Sequence, residues 1–578
     1  MNLKIEEIPS REEGGAIVVS LPPLTEGERG EIDPIVPPTS GIRLRVMEQK
    51  GPDQYLITKS YYGMFLRILK ATSLVCEKRL GRKFRILIVS DDRPSCSWIT
   101  DIATKVFAHD GHHVIHQIGP AGSSRLSTPY ASAAIALNTD IDVVIVLTAS
   151  HNAIIWNGLK IYFQRPIPIA GDFMKAISHT ALDLREVPLA KRYEVETRDI
   201  NAQNNNYIAT LIEKILPLKK LKGAKVVFWP MMGEAKELVD LFTRFGTRLH
   251  VIHKEMDPPD PTRLNPDQIR EVVRVIKEQG AKLAILVDAD RDRVVVIARR
   301  GNEFVELTPN EIYTAINNVL VKQFARNLIN VRTIPSDPRG DGVASLNFIT
   351  GVGYKHLGVI LYMLANVEVD PSQVSTGVLY LERKGKLVQL QDTAPVHQAI
   401  RDAVQAGTIK VGDHLIAVLW EESGGHTFNI LKLDAVTDKN VTLSSTFPLI
   451  ADKFPAVAVI LLCELVERGI DLFAQIDRSI ISNRTVIDAN DHEKVKIMGN
   501  FMNLIGKSVT IGGRVYQVGS FQDNEGQTEV ISLTRDKTTI YFRPSGTGPN
   551  IRIYVFGPQA TAQEELTKVT NDINTKFR

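Results

Sequence analysis

Three aspartates alternate in the hexapeptide Asp288-Ala289-Asp290-Arg291-Asp292-Arg293, directly after the apolar run Lys282 to Val287. On extended backbone alternate side chains share a face, so three carboxylates held that close repel one another unless something positive joins them. A divalent cation resolves the conflict. Oxygen ligands favour Mg²⁺ or Ca²⁺, and so few carboxylates suit Mg²⁺, which commonly completes its octahedron with water or phosphate. A calcium EF-hand loop would need Gly at its sixth position and Glu at its twelfth, where this chain has Arg293 and Arg299. Taken alone, the triplet also reads as a solvated acidic turn between two strands.

Ser150 ends a second apolar run, with His151 and Asn152 beside it and Asn157, Gly158 and Lys160 close behind. By itself such a serine is an N-cap or a turn residue. It is not a hydrolase nucleophile elbow, because Thr148 and Asn152 stand where that motif needs glycine. Near a magnesium site, with Lys160 and arginines available, it suits a phosphorylated serine whose dianion completes the metal shell. Arg543, Ser545, Gly546, Thr547 and Arg552 supply guanidinium groups, hydroxyls and exposed backbone N–H groups, the parts of a phosphate cradle. Glu421 and Ser423, in a loop with Gly424 and Gly425, offer an acceptor and a two-way hydroxyl suited to vicinal sugar hydroxyls, or else an exposed acidic turn. The cluster His109, His112, His113 and His116 surrounds Val114 and Ile115, which predict an edge strand with structural histidines rather than a metal site. Gly340-Asp341-Gly342 is followed by no Walker-type Gly-Lys-Ser/Thr and is not a nucleotide loop.

The elements that must position these residues are short apolar β-type runs alternating with helix-length amphipathic stretches, the pattern of α/β layers. Four runs lead into the loops: VVIVL into TASHN, LAILV into DADRDR, LIAVLW into EESGGH and TTIYF into RPSGTG. Ligands bind where such strands end, so four domains each offering one loop would share a single cleft. A length of 578 residues leaves room for about four domains. No internal repeat is strong enough to show that they are copies. The Asn-rich stretch Asn201 to Asn206 and the polar stretch Ser479 to Arg484 are the expected boundaries. The first 38 residues mix Glu, Gly and Pro and are expected to form a surface arm unable to pack a core, with folded structure starting near Thr39. A net charge of +3 makes no case for nucleic acid or an anionic membrane as main partner. Three widely spaced cysteines fit neither a disulfide framework nor a zinc site, no secretory signal is legible, and the longest apolar run, near Ala456 to Cys463, is too short to span a bilayer. The expectation is a soluble cytoplasmic protein.

In this order the segments resemble the α-D-phosphohexomutase family, which includes phosphoglucomutase, phosphomannomutase and phosphoglucosamine mutase. TASHNAIIWNGLK is similar to its serine loop, DADRDR to its metal loop, EESGGH to its sugar loop and RPSGTGPNIRIY to its phosphate loop. TSGIR at Thr39 to Arg43, Asp91 to Ser95 and TGVGYK at Thr350 to Lys355 resemble further family segments. Ala153, Leu44, Ala289, Gly548 and Cys96 depart from the pattern, and none of these removes a ligand or the nucleophile. The resemblance implies a four-domain architecture around a central cleft: an arm over 1–38, three related mixed α/β domains over 39–200, 201–306 and 307–475, and a smaller C-terminal α+β domain over 476–578. It implies that phosphorylated Ser150 exchanges its phosphoryl group with a phosphosugar through a hexose 1,6-bisphosphate, with Mg²⁺ on Ser150, Asp288, Asp290 and Asp292. Arg43, His151 and Lys160 would serve the transfer, Arg293, Lys355, Glu421 and Ser423 would bind substrate, and Arg543, Ser545, Gly546, Thr547 and Arg552 would hold the idle phosphate. The expected activity is that of a phosphoglucomutase with phosphomannomutase activity. Phosphoglucosamine mutase is the alternative enzyme, and a catalytically weak sugar-phosphate binder the alternative class. The sequence does not reveal the oligomeric state.

Overall fold

A computed structural model describes residues 2–34, 41–120, 123–369, 377–383, 386–523, 525–545 and 549–578. Three of its sheets repeat one plan. The first has six strands in the order Glu196–Arg198, His113–Gln117, Arg85–Ser90, Val143–Leu147, Trp156–Phe163 and Ile42–Arg45. Its first four strands run parallel and the last two antiparallel. The second orders Arg248–Val251, Lys225–Trp229, Leu283–Val287, Val294–Arg300 and Glu303–Leu307, again parallel and then antiparallel. The third, with seven strands, centres on Leu346–Thr350, Asn327–Thr333 and His414–Trp420 in parallel, followed by the antiparallel His426–Val436. In each, a central parallel strand turns back through a hairpin, and the three hairpin loops are the serine, aspartate and Glu-Ser-Gly-Gly loops. The repetition is one of topology rather than of sequence.

The central strands are continuous apolar runs because helices cover both faces of a parallel sheet: Val143–Leu147 and Leu283–Val287 are buried at every position. One core cluster joins residues of all three sheets through the helices Thr128–Leu137, Ile200–Ile215, Pro309–Lys322 and Ala456–Glu467. The last of these is apolar almost all round and lies inside the protein. Its single buried charge, Glu464, accepts from the backbone N–H groups of Lys219 and Lys220 and from Arg468. Among the described residues no helix is long and apolar enough to cross a membrane. The C-terminal sheet is wholly antiparallel, six strands from Ile480–Asp488 to Asn550–Pro558, with the helices Asp491–Met502 and Ala562–Lys576 packed on it.

Two expectations need correction. Residues 2–34 are folded rather than a loose arm: Ala16–Ser20 pairs antiparallel with Glu186–Ala190, and Ile8, Val19, Leu21 and Ile32 are buried in the first domain's core. These residues need no core of their own because they complete a neighbour's. The Asn-rich stretch, expected at a domain boundary, is part of the helix Ile200–Ile215. Its buried amides reach sideways: Asn201 donates to Asp240, Asn204 to the Tyr130 carbonyl, and Asn205 accepts from the Tyr130 hydroxyl. His113–Gln117 is not an edge strand, since Glu196–Arg198 pairs outside it. The histidines there make ordinary contacts, His112 with Ser73, His116 with Thr104 and His113 with Glu196. Thr39 lies outside the described residues.

Candidate active site

The aspartate loop is a tight hairpin connection, and the ligand atoms of Asp288, Asp290 and Asp292 lie within 4.8 Å of one another with all three residues buried. Asp288 Oδ1 accepts from the backbone N–H groups of Asp292 and Arg293, at 3.0 and 3.1 Å, which folds the loop around its own first carboxylate. Burial, then the neighbouring Asp290 and Asp292, push Asp288 well above the ordinary carboxylate range. Burial works against the charge of Asp292 too, but Lys160, Lys453 and Arg293 hold it well below its usual value. Lys160 Nζ lies 2.7 Å from Asp290 Oδ2 and 2.8 Å from Asp292 Oδ2. Two oxygens, Asp290 Oδ1 and Asp292 Oδ1, are buried with no hydrogen-bond partner. Orphaned carboxylate oxygens in an all-oxygen donor set fit a hard divalent cation.

Ser150 brings its Oγ to 3.1 Å from Asp288 Oδ2 and to 3.4 Å from His151 Nδ1. It sits in the left-handed region at φ 53°, a strained position for serine, and is held there by neighbours. Its N–H donates to Thr148 Oγ1, whose hydroxyl donates to Asp91. Arg93, fully buried and paired with Asp91, spends its guanidinium on the carbonyls of Ser150, Asn152, Ala153 and Trp156. One arginine therefore satisfies the backbone of a loop that has no ladder partner. Gly158 explains the Asn-Gly-x-Lys spacing: a Cβ there would lie 2.0 Å from the Ile42 carbonyl oxygen, so only glycine lets the strand Ile42–Arg45 run alongside and carry Arg43 in. Arg43 reaches Asn152 Oδ1 at 3.5 Å; burial, then the charge of Arg293, lowers its pKa to about 10. Burial, followed by Arg293 and Arg43, holds His151 well below its usual pKa, so its imidazole is neutral.

A cleft beside these loops is walled by Arg43, Lys160, Asp292, Arg293, Lys355, Glu421, Glu422, Ser423, Asp452, Lys453, Arg543 and Arg552 among others, drawn from all four sheets' neighbourhoods. Ser150 itself is 1 % exposed and does not line that cleft. Glu421 accepts from Ser423 Oγ and pairs with Lys453 Nζ at 2.7 Å. The Lys453 stem passes over Gly425, where a Cβ would come within 2.7 Å of its Cγ and Cδ. Burial lowers Lys355 to about 8, with Glu529 opposing the shift. The C-terminal sheet closes the far wall: Glu529 Oε1 accepts from Val352 N at 2.6 Å and the Tyr554 hydroxyl donates to Glu422 at 3.0 Å. Arg543 and Arg552 stand opposite each other on adjacent strands, and Lys494 donates to the Ser545 carbonyl. Gly546 and Thr547 lie outside the described residues.

Sequence reasoning missed Lys453, Arg93 as the holder of the serine loop, and Thr128, whose hydroxyl donates to Asp290 at 2.8 Å. Only Arg93 carried a local signal, in the Asp91 to Ser95 segment. Lys453 and Thr128 meet the aspartate loop across about 160 residues of chain, beyond any pattern of spacing.

Two family profiles match: "Phosphoglucomutase/phosphomannomutase, alpha/beta/alpha domain I" over residues 35–187 and "alpha/beta/alpha domain II" over 205–301. A phosphoglucosamine mutase of Thermodesulfovibrio yellowstonii is 28% identical over 249 residues, covering 41% of this chain and 52% of that protein. A phosphomannomutase/phosphoglucomutase of Pseudomonas syringae pv. tomato is 28% identical over 176 residues, 27% of this chain and 33% of that protein. The chain thus spans about half the length, or less, of these curated relatives. In fold it is similar to a putative phosphomannomutase from Thermus thermophilus (TM-score 0.58, 17% identity, 92% of this chain and 96% of that one). Paramecium parafusin is equally similar (TM-score 0.58, 17% identity, 96% and 95%).

Proposed function

Because the chain belongs to the phosphoglucomutase/phosphomannomutase (α-D-phosphohexomutase) family, we propose that it is a phosphohexomutase, interconverting hexose 1-phosphate and hexose 6-phosphate through phosphorylated Ser150. The observation that carries the reading is the approach of Ser150 Oγ to Asp288 at the buried carboxylate trio, next to a cleft whose opposite wall holds Arg543 and Arg552. Asp288, Asp290 and Asp292, with the phosphate on Ser150, would hold Mg²⁺, which when bound supplies charge neutralisation at the transferring group.

In the forward step the bond from phosphorus to Ser150 Oγ breaks as a sugar hydroxyl oxygen bonds to the same phosphorus, and the hydroxyl proton ends on Ser150 Oγ, which is released as the free serine hydroxyl. The resulting hexose 1,6-bisphosphate turns end for end and returns its other phosphoryl group to Ser150. His151, neutral and 3.4 Å from Ser150 Oγ, relays the proton to and from the serine oxygen. Lys160, Arg43 and Arg293 offset charge on the moving group. Arg543, Ser545 and Arg552, with Gly546 and Thr547 of the same loop, hold the idle phosphate, while Glu421 and Ser423 accept and donate to the sugar's 3- and 4-hydroxyls. Lys355 adds a further phosphate contact. Such catalysis rests on positioning and electrostatics.

A coupled assay with glucose 1-phosphate, Mg²⁺ and a trace of glucose 1,6-bisphosphate tests this. Ser150→Ala is expected to lower turnover by at least about 10⁴-fold, and intact-mass analysis of the wild type to find one phosphoryl group on Ser150. Tight binding without turnover on any hexose phosphate would refute the enzyme reading in favour of a binder. Phosphoglucosamine mutase is the second reading, favoured by the names of several curated relatives.

A further inference from the structure

Resting on the phosphohexomutase reading, we propose that Lys453 sets the sugar class: its ammonium favours hexose phosphates uncharged at C2 and disfavours the 2-ammonium of glucosamine phosphate. Lys453 bridges the two loops that meet over the substrate space, with Nζ 2.7 Å from Glu421 Oε1 and 3.6 Å from Asp292 Oδ2. Its side chain is 13% exposed and wedged over Gly425, so the charge is fixed in the cleft rather than free to swing into solvent.

Two consequences follow from that placement. The carboxylate that a sugar ammonium would seek in the sugar-reading loop is already ion-paired, and it also accepts from Ser423. The cleft wall carries seven basic side chains against four acidic ones. Of those acids, Asp292 is held by Lys160, Asp452 accepts from the Tyr162 hydroxyl and Glu422 from that of Tyr554. Such a wall attracts the phosphate dianions of any phosphosugar, but a cation on the ring adds to an excess of like charge. A C2 hydroxyl meets no such penalty. This assignment departs from the names of the relatives in which only about half the length is matched. The rival site for an ammonium is Glu422 Oε2, which is buried without a hydrogen-bond donor.

Titration calorimetry with glucose 1-phosphate, 2-deoxyglucose 1-phosphate and glucosamine 1-phosphate, in Mg²⁺ and below the amine's pKa, tests the assignment. Wild-type protein is expected to bind the two neutral sugars at least about tenfold more tightly than the amino sugar. Lys453→Met should narrow that gap about tenfold through a gain for the amino sugar, whereas Lys453→Arg should keep it. Equal or tighter binding of glucosamine 1-phosphate by the wild type, or a gap unchanged in Lys453→Met, overturns the proposal. Loss of amino-sugar affinity in Glu422→Gln would do the same by locating recognition at Glu422. If Lys453→Met fails to fold, the wild-type comparison of 2-deoxyglucose with glucosamine phosphate decides. Turnover measured in parallel keeps the two claims apart: charge-selective binding without catalysis sinks the mutase reading alone, and catalysis with indifferent binding sinks the role of Lys453 alone.

Discussion

The first and third domains place the same short motif after equivalent strands and use it differently. Ser90-Asp91-Asp92-Arg93 follows Arg85–Ser90, and Ser336-Asp337-Pro338-Arg339 follows Asn327–Thr333; each strand lies beside the one that leads into its domain's functional hairpin. In both, the arginine is buried against the aspartate two residues before it. Arg93 then donates to four carbonyls of the serine loop. Arg339 donates instead to the carbonyls of Asp477 and Ile480, where the chain passes into the C-terminal sheet. The Glu-Ser-Gly-Gly loop of the third domain is left to Lys453 and to the Tyr313 hydroxyl, which donates to the Gly425 carbonyl. One device thus fixes the loop of Ser150, the proposed nucleophile, and its counterpart fixes the C-terminal sheet that carries the proposed phosphate cradle.

The contrast can be broken experimentally. Arg93→Met strands a buried Asp91 and four loop carbonyls, so it should cost about 3–5 kcal/mol in chemical denaturation and lower phosphoryl uptake at Ser150 by about 10³-fold or more, read by intact mass and kcat. Arg339→Met should leave phosphoserine formation near wild type and raise KM by about tenfold, because it loosens the cradle rather than the serine. Equal effects on kcat from the two changes would erase the distinction.

The carboxylate trio sharpens the comparison by a smaller margin. Adding Mg²⁺ at about 100 times its Kd should stabilise the folded protein by about 2.7 kcal/mol, seen as a rise of a few degrees in thermal unfolding, and Asp290→Asn should abolish that rise. The smallest effect belongs to the far wall. Lys355 has a folded pKa of about 8, below its ordinary value, so it carries charge below that pH and loses it as pH rises. kcat/KM should therefore fall along an alkaline limb near pH 8, and Lys355→Arg should move the limb upward while leaving the phosphoserine level unchanged.

How much was legible in the sequence depended on whether the signal was local. The runs before the first three loops are continuous and apolar because both faces of the strands are covered, and that leaves an unmistakable trace at Val143–Leu147 and Leu283–Val287. The Asp-x-Asp-x-Asp spacing singled out Asp288, Asp290 and Asp292, although a tight turn through a left-handed Arg291, rather than extended backbone, gathers them. What failed to show was whatever depended on a distant partner. Val19 and Leu21 looked too few to form a core because the first domain supplies the rest of it. The partners of Asn201, Asn204 and Asn205, Asp240 and Tyr130, lie far along the chain, so nothing local marked the stretch as a packed helix. The triplication was invisible because strand order is preserved where side chains are not.

A residue larger than glycine at 425 would press the aliphatic stem of Lys453 aside and loosen its hold on Glu421, so one bare turn sets where a distant ammonium can stand.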